Sequence, residues 1–88
     1  MENNSQHHPS KSLHVAITSV SFGKSALLRE ELARVFPNAF FNEKGRKLSE
    51  SELIEFLKNA DAAIVGTEAI TDQILQQSPR LKIISKYG

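Results

Sequence analysis

The tripeptide Gly23-Lys24-Ser25 is the part of this sequence that most resembles a chemical motif. It matches the end of the phosphate-binding loop G-x-x-x-x-G-K-[ST], in which backbone amides wrap the phosphates while the lysine and the hydroxyl meet phosphate and magnesium. The first glycine of that motif would stand at position 18, which is Thr18, and Val20 and Phe22 suit a tight anion loop poorly. The sequence therefore favours a strand-to-helix turn, eased by Gly23, over a nucleotide site.

Two other sites that occur in α/β proteins also lack their residues here. A phosphate-accepting receiver domain needs acidic residues after its first strand and an aspartate at the end of its third. This chain has Thr18-Ser19 and Gly66-Thr67 in those places. A dinucleotide site needs G-x-G-x-x-G at the start of a helix. The glycines are too widely spaced for it, since they are Gly23, Gly45, Gly66 and Gly88.

The remaining candidate groups stand alone in the sequence. His14 falls within the first predicted strand, where a structural or edge position is favoured over a catalytic one. Glu68 follows the third predicted strand and is equally compatible with a site residue and with a solvated loop carboxylate. His7-His8 lies in a polar tail without convergent ligands, so we expect a disordered tail and no metal site.

Composition limits the chain to one small domain. It has 88 residues, of which 40% are hydrophobic, and a formal net charge of +1. We predict a disordered leader at residues 1–12 and a folded domain at residues 13–88. Because no basic face stands out, neither nucleic acid nor an anionic membrane is expected as a partner. The chain has no cysteine and no run of about 18 apolar residues, so disulfides are excluded and a cytoplasmic location is expected.

Short apolar runs alternate with helical patterns along the chain. Strands are predicted at residues 13–18, 39–41, 61–66 and 81–85. The first helix is predicted at residues 24–36, a capping box of Ser49 and Glu52 starts the second, and Thr71 caps the third. The order β-α-β-α-β-α-β predicts an α/β fold with a parallel sheet, right-handed crossovers and helices on both faces.

The motifs "IVGTEAIT", "SPRLK" and "IISKYG", all after Ala60, carry a family resemblance. The sequence resembles the N-terminal substrate domain of the D-isomer-specific 2-hydroxyacid dehydrogenases, the family of 3-phosphoglycerate dehydrogenase. Before Ala60 only the order of elements matches. The resemblance implies a flavodoxin-like sheet of order 2-1-3-4, incomplete relative to the family domain. It also implies that the parent protein uses NAD, bound by a separate Rossmann domain, and that the catalytic residues lie beyond these 88 residues.

The resemblance also implies where a substrate would lie. Thr67 and Glu68 match the loop after the third strand, which lines the substrate side of the cleft. Lys86, Tyr87 and Gly88 match the approach to the loop that holds the substrate carboxylate. The turn from Ser19 to Gly23, which contains the site candidate Ser21, occupies the rim after the first strand. No catalytic residue, cofactor-binding residue or metal ligand is expected among these positions.

The expected function is therefore that of a substrate-domain fragment, inactive alone, of an NAD-dependent 2-hydroxyacid dehydrogenase. Its substrate would be a small anionic 2-hydroxy or 2-keto acid, and 3-phosphoglycerate is the example that the resemblance suggests. The alternative is a stand-alone flavodoxin-like binding or interaction module without enzyme activity. In either case we expect self-association, as a homodimer that buries Ile83 and Ile84 of the apolar fourth strand.

Overall fold

A computed structural model of the chain describes residues 12–87. Residues 1–11, with the predicted leader and its His7-His8 pair, and Gly88 lie outside the described residues. The strands are β1 (Val15–Ile17), β2 (Phe40–Phe41), β3 (Ala62–Val65) and β4 (Ile83–Lys86). The helices are α1 (Val20–Lys24), α2 (Ala26–Val35), α3 (Glu50–Leu57) and α4 (Asp72–Gln76).

The four strands form one parallel sheet in the order β2-β1-β3-β4, which confirms the predicted fold class. Ala16 of β1 lies opposite Phe40 of β2 on one side and Ala63 of β3 on the other. Ala63 in turn lies opposite Ile84 of β4. Each strand is shorter than the sequence predicted, and β4 ends at Lys86, one residue beyond its predicted end.

Successive side chains along each strand lie on opposite faces of the sheet and form two separate hydrophobic cores, one on each face. Ala16, Ala63 and Val65 pack with α3 and α4 through buried residues that include Leu57 and Ile74. The opposite core contains Val15 and Ile17 with buried Phe22 of α1, and partly buried Leu28, Leu32 and Phe36 around it. The sheet thus has helices on both faces, as predicted, with α1 and α2 on one face and α3 and α4 on the other.

The segment between β1 and β2 differs from the sequence prediction. The expected turn at Gly23 is instead part of α1, because the Gly23 amide donates to the Ser19 carbonyl at 3.1 Å. Ser19 caps α1 by accepting from the Phe22 amide at 3.2 Å, and Ser25 caps α2 by accepting from the Leu28 amide at 3.2 Å. Two serine caps therefore start two helices between β1 and β2. The second, α2, corresponds to the helix predicted at residues 24–36, whereas α1 occupies the segment predicted as a turn, so the prediction of a glycine turn was wrong.

The predicted caps of the other two helices are present. The Ser49 amide donates to Glu52 Oε1 at 2.8 Å and the Glu52 amide donates to Ser49 Oγ at 3.3 Å, which completes the capping box of α3. Thr71 Oγ1 accepts from the Ile74 amide at 3.3 Å at the start of α4. Within residues 12–87, no helix has the length and apolar character that crossing a membrane requires.

Candidate functional site

The candidate site lies where β1 and β3 end side by side. The Thr18 amide, just past β1, donates to the carbonyl of Ile64 in β3 at 2.9 Å, so the segments that follow the two strands start as neighbours. After β1 the chain crosses to β2 on one side, and it later returns to β3 on the other side. Open parallel sheets bind their ligands at such a reversal of strand order, outside the carboxyl ends of the strands.

A cavity of about 250 Å³ occupies this position. Four of the predicted site residues line it: Ser21, Thr67, Glu68 and Tyr87. Lys86 lies at the end of β4 but does not line the cavity, and Gly88 lies outside the described residues. Ser19 and Val20, from the segment predicted to form the rim, also line it, and the structure adds Lys47 and Gly66, which the sequence analysis did not assign to the site.

Tyr87 is fixed from two directions. Its amide donates to the carbonyl of Val65 at 2.7 Å, which continues the pairing of β4 with β3 past the last strand residue. Its ring meets the ring of Phe22 edge to face, with centroids 5.1 Å apart and an interplanar angle of 79°. Because Phe22 is anchored in the core of one sheet face, the tyrosine is held against the cavity wall.

Glu68 is buried, with 5% of its surface exposed, so the interpretation as a solvated loop carboxylate is wrong. Its Oε1 accepts from the Gly66 amide at 2.8 Å. Its Oε2 is enclosed and has no hydrogen-bond partner among the described residues. Gly66 permits this approach, since a Cβ there would lie 3.3 Å from Glu68 Oε1 and 3.4 Å from Ser19 Cα.

A second buried oxygen, that of the Thr18 hydroxyl, also lacks a hydrogen-bond partner among the described residues. Thr18 is completely buried, and its Oγ1 makes no hydrogen bond within the described part of the chain. Thr18 directly follows β1 and Glu68 follows β3, so both unpartnered oxygens belong to segments at the ligand-binding edge of the sheet. Buried polar atoms in folded proteins are normally paired, and exceptions concentrate where a ligand, a water or a functional constraint completes them.

A neighbouring cavity of about 320 Å³ extends along the start of α3 and α4. Its lining includes Leu48, Leu53 and Thr71, and it shares Lys47 and Glu68 with the first cavity. We call the two cavities together the cleft. Lys47 and Glu68 stand where its two halves meet, so the cleft carries one cation and one carboxylate at its centre.

The loop that carries Lys47 is held by Asn42, which is buried. The Asn42 side-chain amide donates to the carbonyls of Thr18 at 3.1 Å and Arg46 at 2.8 Å. Its Oδ1 accepts from the Lys44 amide at 2.9 Å. One side chain thus closes the loop on itself and ties it to the end of β1. Gly45 completes the turn with a positive φ of 73°, a conformation that glycine adopts without strain.

Ion pairs fix the far end of the same loop to α3. Both oxygens of Glu52 accept from the guanidinium of Arg46 at 2.8 Å. This pairing, together with the Ser49 amide, lowers the pKa of Glu52 to about 2. Lys44 also lies 3.8 Å from Glu52 Oε2. Arg46 precedes Lys47 in the sequence and Glu52 follows it, so the ion pair between them restrains the backbone that carries Lys47 at the cleft.

His14 lies at the opposite end of the sheet from the cleft, one residue before β1. Its amide donates to Asp61 Oδ2 at 2.8 Å, and its Nδ1 lies 3.5 Å from the same oxygen. Arg80 donates to Asp61 as well, at 3.0 Å. The amide of His14 is the largest cause that lowers the pKa of Asp61, with Arg80 contributing. This arrangement supports the structural interpretation of His14, although the residue lies just outside the strand.

A further cavity of about 540 Å³ lies beside Phe40 and Phe56 and shares only Leu48 with the lining of the cleft. It contains none of the predicted site residues. No group of three or more metal-ligating side chains occurs among residues 12–87.

The structure is an α/β domain with a parallel sheet and a cleft at the reversal of its strand order. A comparison with protein families makes the assignment more specific. Residues 15–88 match the family model described as D-isomer specific 2-hydroxyacid dehydrogenase, catalytic domain. The chain therefore belongs to this dehydrogenase family. Searches of curated proteins and of solved structures gave no significant match.

Proposed function

We propose that this chain supplies substrate-binding residues to an NAD-dependent dehydrogenase that interconverts 2-hydroxy and 2-keto acids. The observation that carries the proposal is the cleft at the ends of β1 and β3 in a chain that belongs to the 2-hydroxyacid dehydrogenase family. The hydroxyl groups of Ser21, Thr67 and Tyr87 line the cleft and suit a small polar acid. A 2-hydroxy acid such as 3-phosphoglycerate is the proposed substrate class.

The described residues do not fit NAD. A dinucleotide site needs free amides at a glycine-rich start of a helix. After β1, the Phe22 and Gly23 amides are already bonded to Ser19, and Ser25 donates to the carbonyl of Phe22. NAD supplies the hydride acceptor in the proposed reaction, and we assign no residue of this chain to its binding.

The role of the chain in the reaction is to bind and orient the acid. Hydride transfer needs the substrate carbon close to the cofactor and a base for the hydroxyl proton. Glu68 is the carboxylate at the centre of the cleft, but its Oε1 is bonded to the Gly66 amide and its Oε2 is enclosed. We therefore propose that the 88 residues alone bind the acid and do not oxidise it.

Two measurements on the 88-residue chain test the proposal. In the first, D-glycerate is added to ¹⁵N-labelled protein, and we expect amide shifts at Ser21 and Thr67 but none at Phe40, which lines the cavity of about 540 Å³. In the second, NAD reduction is followed with D-lactate, D-glycerate and D-malate, and no turnover is expected. Shifts confined to Phe40 and its neighbours would contradict the proposal that the acid binds in the cleft. Turnover would contradict the proposal that the 88 residues alone do not oxidise the acid.

A second candidate is a binding or interaction module without enzyme activity. The observation that favours it is β4, whose four residues are all exposed although two are isoleucines. The glycerate titration separates the candidates, because an interaction module through β4 has no reason to bind a hydroxy acid in the cleft.

A further inference from the structure

The cavity of about 540 Å³ lies between strand β2 and helix α3, and the proposed function does not use it. Phe40 of β2 and Phe56 of α3 line it with rings tilted by 60° and centroids 5.0 Å apart, and buried Leu48 completes the apolar surface. The other residues that line it are polar: His14, Lys44, Glu52, Glu55 and Asn59. Ligand pockets have volumes of about 300–1,000 Å³ and mostly apolar walls, so this cavity has the size and character of a binding site.

Strand β2 has an open side next to this cavity. It is the first strand in the order β2-β1-β3-β4, so it pairs with β1 and no strand within residues 12–87 pairs with its other side. The Asn42 amide donates to Ile17 of β1 at 2.9 Å. Because neighbouring backbone amides along a strand point to opposite sides, the Phe41 amide points away from β1, to the open side. A backbone donor of β2 therefore stands beside the cavity without a partner strand.

The charges that line the cavity change sign along α3. Arg46 donates to both oxygens of Glu52 at 2.8 Å, whereas Lys44 approaches the same carboxylate only to 3.8 Å. Two cations thus share one carboxylate, which leaves surplus positive charge near the start of α3. Glu55 lies three residues further along the helix, is exposed, and makes no ion pair with any residue of 12–87. The lining therefore offers a cation, an apolar surface and a carboxylate to one ligand.

We propose that this cavity and the open side of β2, together the β2–α3 groove, bind an extended peptide segment of a partner protein. The peptide adds a strand to β2 and its backbone pairs with Phe41, as extended peptides add to the sheet edges of other recognition domains. One apolar side chain, such as leucine, enters the cavity against Phe40 and Phe56. Side chains two positions apart lie on the same side of a strand, so an acid on one side of the leucine meets Lys44 and a base on the other meets Glu55.

Other occupants satisfy fewer of these groups. A small apolar molecule would fill the cavity but leave the Phe41 amide without a partner. A second copy of this chain would offer its own β2, whose Phe40 and Phe41 side chains already pack against the two cores. A peptide supplies the backbone groups, the apolar side chain and the charges together. The groove is separate from the substrate cleft apart from the shared Leu48, so the inference does not rest on the proposed function.

NMR titration of the ¹⁵N-labelled 88-residue chain with two heptapeptides tests the proposal. Their sequences, acetylated and amidated at the ends, are Thr-Asp-Thr-Leu-Thr-Lys-Thr and the reverse, Thr-Lys-Thr-Leu-Thr-Asp-Thr, which place the charges correctly for opposite strand directions. We expect one of them to bind at least about fivefold more tightly than the other, with amide shifts at Phe41 and Phe56 and none at Thr67. Serine in place of its leucine should weaken binding by about tenfold or more.

Methylated peptides test whether the peptide adds a strand. N-methylation at the leucine or at the threonine that follows it blocks one of two neighbouring amides, and only one of the two points to β2 in an added strand. One methylated peptide should therefore lose binding and the other should keep it. Equal affinities of the two methylated peptides would overturn the proposed strand addition.

A charge reversal assigns the contact with Glu55. In Glu55→Lys the better heptapeptide should bind about fivefold less tightly, and glutamate in place of its lysine should restore the affinity. Glu31→Lys is the matched control, because Glu31 is exposed on α2, which packs on the opposite face of the sheet. The control should bind the heptapeptide as the unmodified chain does, and the dispersion of the amide spectrum verifies that both variants fold.

Four further results would overturn the proposal. Absence of shifts with both heptapeptides, or equal affinity for the two, would exclude the peptide with this charge pattern. Binding of N-acetyl-leucinamide as tight as that of the heptapeptide would identify the cavity as a small-molecule site. Shifts at Phe41 that grow with protein concentration in the absence of peptide would identify a second copy of the chain as the occupant. None of these results bears on the binding of a hydroxy acid in the cleft, which the glycerate titration tests separately.

Discussion

Replacement of Leu57 by alanine tests how strongly α3 is held against the sheet. Leu57 is 0% exposed, in the core that joins α3 and α4 to Ala16, Ala63 and Val65. Loss of a fully buried leucine side chain costs about 2–5 kcal/mol through lost burial and the cavity left behind. A domain of this size has a free energy of unfolding of about 4–11 kcal/mol. Leu57→Ala should therefore remove a large part of the stability.

Urea unfolding followed by far-ultraviolet circular dichroism measures the effect. Leu27→Ala is the matched control, because Leu27 is also helical but 64% exposed on α2. Both substitutions bring the same gain in helix propensity, so their difference isolates burial. We expect the control to change the free energy of unfolding by less than about 0.5 kcal/mol. Leu57→Ala should lower the urea midpoint by roughly 1–3 M. Equal midpoints for the two variants would refute the packing described for α3.

Three further predictions concern charge, the first helix and the open strand. The pKa of Glu52 is lowered from 4.5 to about 2, so the stability from its pairing with Arg46 is complete above pH 4.5 and is lost as the pH falls through 2. In Arg46→Met the urea midpoint should therefore fall less steeply with decreasing pH than in the unmodified chain. Parallel plots of midpoint against pH for the two proteins would contradict this prediction. Neither the unmodified chain nor Lys24→Ala should bind ATP detectably by calorimetry, since the amides of α1 are bonded within the helix. Micromolar ATP binding by the unmodified chain that Lys24→Ala abolishes would restore the phosphate-loop hypothesis. We expect sedimentation equilibrium to show a homodimer that Ile83→Lys dissociates, because Ile83 is 60% exposed on β4; a stable 9.8 kDa monomer at high micromolar concentration would count against it.

The sheet and two of the helix starts could be predicted because their signals are local. Short apolar runs between helical patterns indicated the strands, although the burial did not follow in every case, since all four residues of β4 are exposed. The capping box of Ser49 and Glu52 satisfies amides within three residues of itself, so its sequence pattern is enough. The helix α1 has a local signal too, since Ser19 and Ser25 each precede helical residues. Gly23 obscures that signal, because glycine is unfavourable inside a helix and common in turns.

The centre of the cleft could not be predicted, because it depends on contacts between distant residues. Lys47 reaches the site through Asn42, whose side chain bonds to Thr18, 24 positions earlier in the chain. Nothing near Lys47 in the sequence distinguishes it from Lys44 or Arg46. The burial of Glu68 likewise depends on the approach of its loop to Ser19, which only the paired strands bring about.

The crowding at Gly66 couples that position to the carboxylate of Glu68. A Cβ at position 66 would lie 3.3 Å from Glu68 Oε1, so the carboxylate would have to move by a few tenths of an ångström, while Ser19 Cα at 3.4 Å is an ordinary contact. The move would lengthen the hydrogen bond that Glu68 Oε1 accepts from the Gly66 amide. The conformation of this loop is therefore set jointly by positions 66 and 68, and a substitution at either one changes the orientation available to the other.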